Sequence, residues 1–167
     1  MQTARYWIEK LKLEKHPEGG YFREVYRADE TIPKHSLHER YSGERNHSTS
    51  IYFLITNKKF SAFHRIKSDE TWHFYTGSTI TIHTINESGK YSTVKLGSNP
   101  EKGEVFQFTI PHSTWFAASV DEPDLFALVG CTVSPGFNYD DFELGNREEM
   151  LKLFPQHKEI INNFTKY

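Results

Sequence analysis

Apolar and polar positions change their period along the chain, and each change predicts a different element. Over residues 3–13, Ala4, Trp7, Ile8 and Leu11 fall on one face while Arg5, Glu9, Lys10 and Lys12 fall outside it, the pattern of a short amphipathic helix. His16-Pro17-Glu18-Gly19-Gly20 breaks that helix, and residues 21–27 read as a strand of high β-propensity. Residues 29–47 are polar and aperiodic, a long loop with Pro33, His35, His38, Gly43 and His47. Beyond it, short β-rich runs follow at close spacing, over 49–56, 60–66, 71–76, 79–85, 91–96, 104–110, 114–119 and 125–133. Gly, Asn, Asp and Pro punctuate them, for example at Asn57, Asp69, Gly77, Gly97 and Pro111. Short strands in series without intervening helices predict a sandwich, jelly roll or barrel.

The period turns helical again near the C-terminus. Asn146 stands three residues before Glu149, the spacing of an N-cap and its partner, and Pro155 ends that helix and opens another. Met150, Leu151, Leu153, Phe154, Ile160, Ile161 and Phe164 would pack both turns onto the barrel. No linker interrupts residues 1–167, so one domain is expected.

Composition narrows the partners. Twenty basic and 22 acidic residues give a formal charge of −2, a poor match to a nucleic-acid surface. No apolar run is long enough to span a bilayer and no secretory leader is visible, so a cytoplasmic protein with no membrane partner is expected. Cys131 is the single cysteine, which excludes an internal disulfide; it lies in an apolar run and reads as core rather than nucleophile. Nine histidines raise the question of a metal.

Two stretches bear on that question. In His64-Arg65-Ile66-Lys67-Ser68-Asp69-Glu70-Thr71-Trp72-His73-Phe74-Tyr75-Thr76-Gly77, a histidine precedes a glutamate and a glycine follows. This resembles the first cupin motif, with Ile66 where the second histidine belongs. Gly103 through Phe116 resembles the second motif: Pro111 is in place, Ser113 replaces the turn glycine, and Phe116 replaces the ligand histidine. The segments 16–24, 49–54, 69–73, 130–137 and 141–144, in that order, make nearly the whole chain similar to the cupin_5 family (DUF985). That resemblance implies a mainly β fold, a double-stranded β-helix (jelly-roll barrel) with a short N-terminal helix and C-terminal helices, and it implies a homodimer. It does not imply a reaction, because cupins host dioxygenases, isomerases, epimerases, storage proteins and sensors.

The motif-matched metal ligands are His64 and Glu70, an incomplete set, so a weakly bound divalent metal is the most the ligand count supports as cofactor. Strand alternation puts Glu70, Trp72 and Phe74 on one face and His73 on the other, and it puts His83 outside the core. His112, in a turn at the barrel mouth, could reach in. A carboxylate among Trp72, Phe74, Phe106, Phe108 and Phe116 would be desolvated and its pKa raised. With His64 it would form an acid/base pair for isomerase or epimerase chemistry on a sugar-like or acidic metabolite, and the same pair also fits a structural hydrogen bond. Trp72, Trp115, Phe74 and Phe116 are the aromatic candidates for substrate binding, with Arg23 as an anion anchor, Tyr26 beside it, and His112 at the mouth. The expected partner is a small molecule. The alternatives are a metal-dependent oxygenase or lyase and a non-enzymatic sensor or scaffold.

Overall fold

Helix α1 (Ala4–Lys10) opens the chain, capped by the Thr3 hydroxyl, which accepts the Tyr6 N–H. The structure is a computed structural model that describes residues 2–123 and 125–166. After α1 come β1 (Glu14–Lys15), β2 (Tyr21–Arg27), β3 (Thr31–Ile32), β4 (Arg45–Asn46), β5 (Thr49–Thr56), β6 (Ser61–Arg65) and β7 (Asp69–Gly77). Then follow β8 (Ile80–Ile85), β9 (Tyr91–Leu96), β10 (Gln107–Ile110), β11 (Trp115–Val120), β12 (Phe126–Ser134) and β13 (Glu143–Leu144). Helices α2 (Arg147–Leu153) and α3 (Lys158–Phe164) close the chain. Asn146 caps α2 as its sequence predicts, its side chain accepting the Glu149 N–H at 3.1 Å.

Two antiparallel sheets face each other, one ordered β1-β2-β5-β12-β7-β10 and the other β13-β6-β11-β8-β9. Strand alternation divides the apolar residues into three layers. Between the sheets lie Phe53, Trp72, Ile82, Phe116, Ala118 and Val129. On the outside of the larger sheet, Leu54, Phe126 and Leu128 are covered by Trp7, Ile8 and Leu11 from α1 and its end. On the outside of the smaller one, Phe63, Ile85, Trp115 and Ala117 are covered by Met150 and Ile161 of the C-terminal helices. The strands beneath these helices therefore bury both faces, which is why β11 and β12 read as nearly continuous apolar runs.

Three sequence expectations need refinement. Leu153, expected against the barrel, is 63% exposed on the outer side of α2. Residues 29–47 are not simply a loop, since β3 and β4 pair as a two-stranded ribbon and bury Tyr41 and Arg45. His83 does lie outside the barrel core, but it is buried. Phe164 packs on its ring at 4.6 Å, and Tyr91 Oη lies 2.8 Å from Nδ1.

Candidate functional site

One end of the barrel holds a cavity of about 340 Å³. Its walls come from β2 (Phe22, Glu24, Arg27), β5 (Thr49, Ile51, Phe53), β6 and the residue after it (His64, Ile66), β7 (Glu70) and β12 (Cys131, Val133). Phe137, Asn138, Tyr139 and Phe142, from the segment after β12, complete it.

Glu18 enters this cavity from outside both motifs. It sits in the turn between β1 and β2, where Gly19 and Gly20 have φ of +124° and +71°. A Cβ at Gly19 would stand 2.1 Å from the Phe60 carbonyl oxygen, so only glycine lets the turn press against the barrel. That approach carries Glu18 inward. Ser61 Oγ–H donates to its Oε1 at 2.8 Å, and His64 Nε2 lies 3.0 Å from its Oε2.

The His64 ring is oriented by its second bond. His64 Nδ1–H donates to the Ala62 carbonyl at 2.7 Å, so the neutral ring presents a bare Nε2 to Glu18. Burial pushes His64 down to about 3, with a lesser contribution from His16 against the Ala62 bond that opposes it. Burial, then the charge of Glu70, pushes Glu18 well above the usual carboxylate range, against Ser61 and Lys166. Both shifts run the same way, toward a protonated carboxyl and a neutral imidazole. His16 adds a third neutral group: its Nδ1 accepts the Glu18 N–H at 3.3 Å, and burial lowers it to about 4.

Glu70 faces the same cavity with different partners. Trp72 Nε1–H donates to its Oε1 at 2.9 Å, and the Cys131 thiol donates to it as well. Burial outweighs both bonds and pushes Glu70 up to about 7. Cys131 is buried core, as expected, with its thiol pushed well above its ordinary value by burial and by Glu70.

The remaining sequence candidates are distributed differently from the expectation. Glu70 and Trp72 share the inward face, and His73 points outward to Thr132, as alternation predicts. Trp72 and Phe116 are fully buried among Phe53 and the core, so they pack beside the cavity rather than line it. Phe116 packs against His64 at 4.0 Å, and Phe74 also joins the core. Phe106, placed by sequence among the residues around the carboxylate, is exposed. Trp115 lies on the outer face under the C-terminal helices, with Arg65 stacked at 4.5 Å. His112 is exposed in its turn, its N–H donating to Asp69, and does not line the cavity.

Arg23 faces away from the cavity by simple alternation with Phe22 and Glu24, and Tyr26 is displaced by a register shift in β2. Pairing runs Phe22↔Phe53 and Glu24↔Ile51, then skips Val25 and resumes at Tyr26↔Ser50 and Arg27↔Thr49. The extra residue reverses the alternation. Arg27 therefore joins Phe22 and Glu24 in the wall, while Tyr26 is 56% exposed and Arg23 lies off the cavity.

The segment that completes the cavity is held by a buried ion pair. Arg45 Nε and Nη2 each donate to Asp141 at 2.6 Å, and Phe137 N–H donates to Thr49 Oγ1 at 2.9 Å. Sequence reasoning missed this aromatic segment because nothing local shows where it lands. For Glu18 a signal did exist, in the Gly-Gly pair that follows it.

The family model described as Cupin superfamily (DUF985), Cupin_5, matches residues 5–145. The chain belongs to this family. It is similar to a hypothetical protein from Leishmania major, at 35% identity and a TM-score of 0.92 over 99% of this chain and all of that one. It is similar also to protein SO0799 from Shewanella oneidensis, at 39% identity and a TM-score of 0.90 over 99% of each. The uncharacterized protein YML079W of Saccharomyces cerevisiae is 29% identical over 154 residues, 87% of this chain and 76% of that protein. Oxalate decarboxylase from Bacillus subtilis shares the fold alone, at 16% identity and a TM-score of 0.54 over 90% of this chain and 36% of that one.

The wider superfamily implies a metal, and the residues of this Cupin_5 protein do not fit one well. Ile66 and Phe116 offer no donor atom, and His64 Nε2 is engaged by Glu18. Among the described residues no group of three or more His, Cys, Asp or Glu side chains is arranged to hold an ion. Among them, too, no helix is long and apolar enough to cross a membrane.

Proposed function

We propose that this Cupin_5 protein binds a small molecule in the cavity and moves a proton at a carbon next to a carbonyl, as isomerases and epimerases do. One observation carries the reading: two buried carboxyl groups open on one cavity with different partners, a serine hydroxyl and an imidazole for Glu18, an indole N–H for Glu70. Glu18, facing His64, is pushed well above the usual carboxylate range and is the proton donor in this reading. Glu70, near 7, is ionised in a large fraction of molecules and can accept one. Environments that push two carboxyls apart in this way assign an acid and a base.

Glu70 would take the proton from the carbon beside the carbonyl. The C–H electron pair becomes a C=C bond, the carbonyl π pair moves to oxygen, and that oxygen takes the Glu18 proton. Return of protons to the other face or the neighbouring carbon completes the reaction. His64 would position Glu18 and accept from it in the resting state.

Deuterium wash-in tests this directly. Aldoses, ketoses and related hydroxy-carbonyl compounds in D2O with the protein should gain deuterium next to the carbonyl, followed by proton NMR. Glu70→Gln should slow exchange by about a hundred-fold or more. Compounds that bind, seen as thermal stabilisation, without any exchange would make the protein a sensor and end the isomerase reading.

A further inference from the structure

Resting on that reading of the cavity, we infer that its ligand carries no negative charge: the substrate class is an uncharged hydroxy-carbonyl compound of sugar size, not a phosphate ester, a nucleotide-linked sugar or a carboxylate. The inference comes from the acids and bases that line the wall. Among the described residues that line the cavity, three carboxyl groups, Glu18, Glu24 and Glu70, stand against one guanidinium, Arg27.

Arg27 is already committed. Its Nε and Nη2 donate to the two oxygens of Glu24 at 2.9 and 2.7 Å, and Nη1 donates to Asn46 Oδ1 at 2.8 Å and the Phe137 carbonyl at 3.1 Å. These contacts engage most of the fork that would otherwise hold a phosphate or carboxylate. His16 and His64 are buried and neutral, so neither supplies a charge. An anion entering here would leave water, meet among the described lining residues no cation without a carboxylate partner, and approach Glu70.

The groups that remain suit hydroxyls. The Thr49 hydroxyl accepts from Phe137 N–H and donates to no protein group among the described residues. Tyr139 and Asn138 present a phenol and an amide, and His16 Nε2 has no partner from the protein among the described residues. Phe22 and Phe142 supply apolar faces against which sugar C–H groups pack. A sugar's hydroxyls both donate and accept, and they carry no charge for which the cavity lacks a partner.

The test uses matched probes that share a carbon skeleton: pentoses and hexoses, their aldonates, and their terminal phosphate esters. Each is titrated by ligand-observed NMR at pH 7.5. The uncharged members should bind, and each anionic counterpart should bind at least about ten-fold more weakly. Glu24→Gln should release Arg27 toward the cavity and raise the anionic-to-neutral affinity ratio at least about ten-fold; the pair is half-exposed, so the fold tolerates the change. An aldonate or phosphate ester that binds wild type as tightly as its parent sugar overturns the inference, as does a panel in which no uncharged member binds. Deuterium exchange separates the two levels. Exchange with an anionic substrate sinks this inference alone, whereas sugar binding without exchange sinks the isomerase reading alone.

Discussion

Asp141 and Glu70 are buried to nearly the same degree, 5% and 8% exposed, yet their surroundings are opposite. Asp141 receives both arms of Arg45 at 2.6 Å, a matched fork that holds the segment after β12 in place. Glu70 receives an indole N–H and a thiol, neither of them a cation, and burial wins. A buried carboxylate with its own arginine does structural work. One that faces a cavity without a cation has a proton it can exchange, which is the mark of chemistry.

The comparison breaks first at the ion pair. Asp141→Ala should cost about 3–5 kcal/mol, because Arg45 is left as an uncompensated buried charge, whereas replacing both partners by apolar residues should cost far less. Urea denaturation measures both. A loss below about 1 kcal/mol for the single change would show that solvent reaches Arg45 and that the pair is not a latch.

Glu70→Gln should act in the other direction. Its folded value of about 7 lies above the ordinary 4.5, so Glu70 favours the folded state in full below 4.5, and that contribution is lost as pH rises through 7. Above pH 7 the glutamine variant should exceed wild type by on the order of 3 kcal/mol, and the gap should close toward pH 4.5. A gap that is constant with pH would refute the titration and leave only packing.

The histidines supply the acid limb. His16 and His64 are lowered from 6.5 to about 4 and about 3, so stability is lost as pH falls below 6.5. Together with Glu70 this places the stability maximum on the acidic side of neutrality. Melting temperatures across pH 4 to 9 would contradict it by peaking at the alkaline end. The smallest expected effect is that of Glu24→Gln on stability, below about 1 kcal/mol for a half-exposed pair, although the same change should alter ligand preference.

Much of this was legible without coordinates. Period-two alternation placed Glu70 and Trp72 inward and His73 outward, and Asn146 announced the start of α2. These are local facts, set by the pleat of a strand and by the orphan N–H groups of a first helical turn. Arg27 shows the limit. One extra residue at Val25 reverses which side chains face in, and nothing in Tyr21 to Arg27 reveals that the strand will skip there.

The sequence by itself determined the β-barrel framework, its covering helices, and the positions of His64 and Glu70, because these follow from apolar periodicity and motif spacing. Only the tertiary structure decided what those two residues are paired with. Glu18 is 46 residues from His64 along the chain and reaches it because two glycines let a turn close against Phe60; residues 137–142 cross the cavity because Arg45 holds Asp141. Protonation states depend on burial and on the nearest charge, and neither is a property of any one segment.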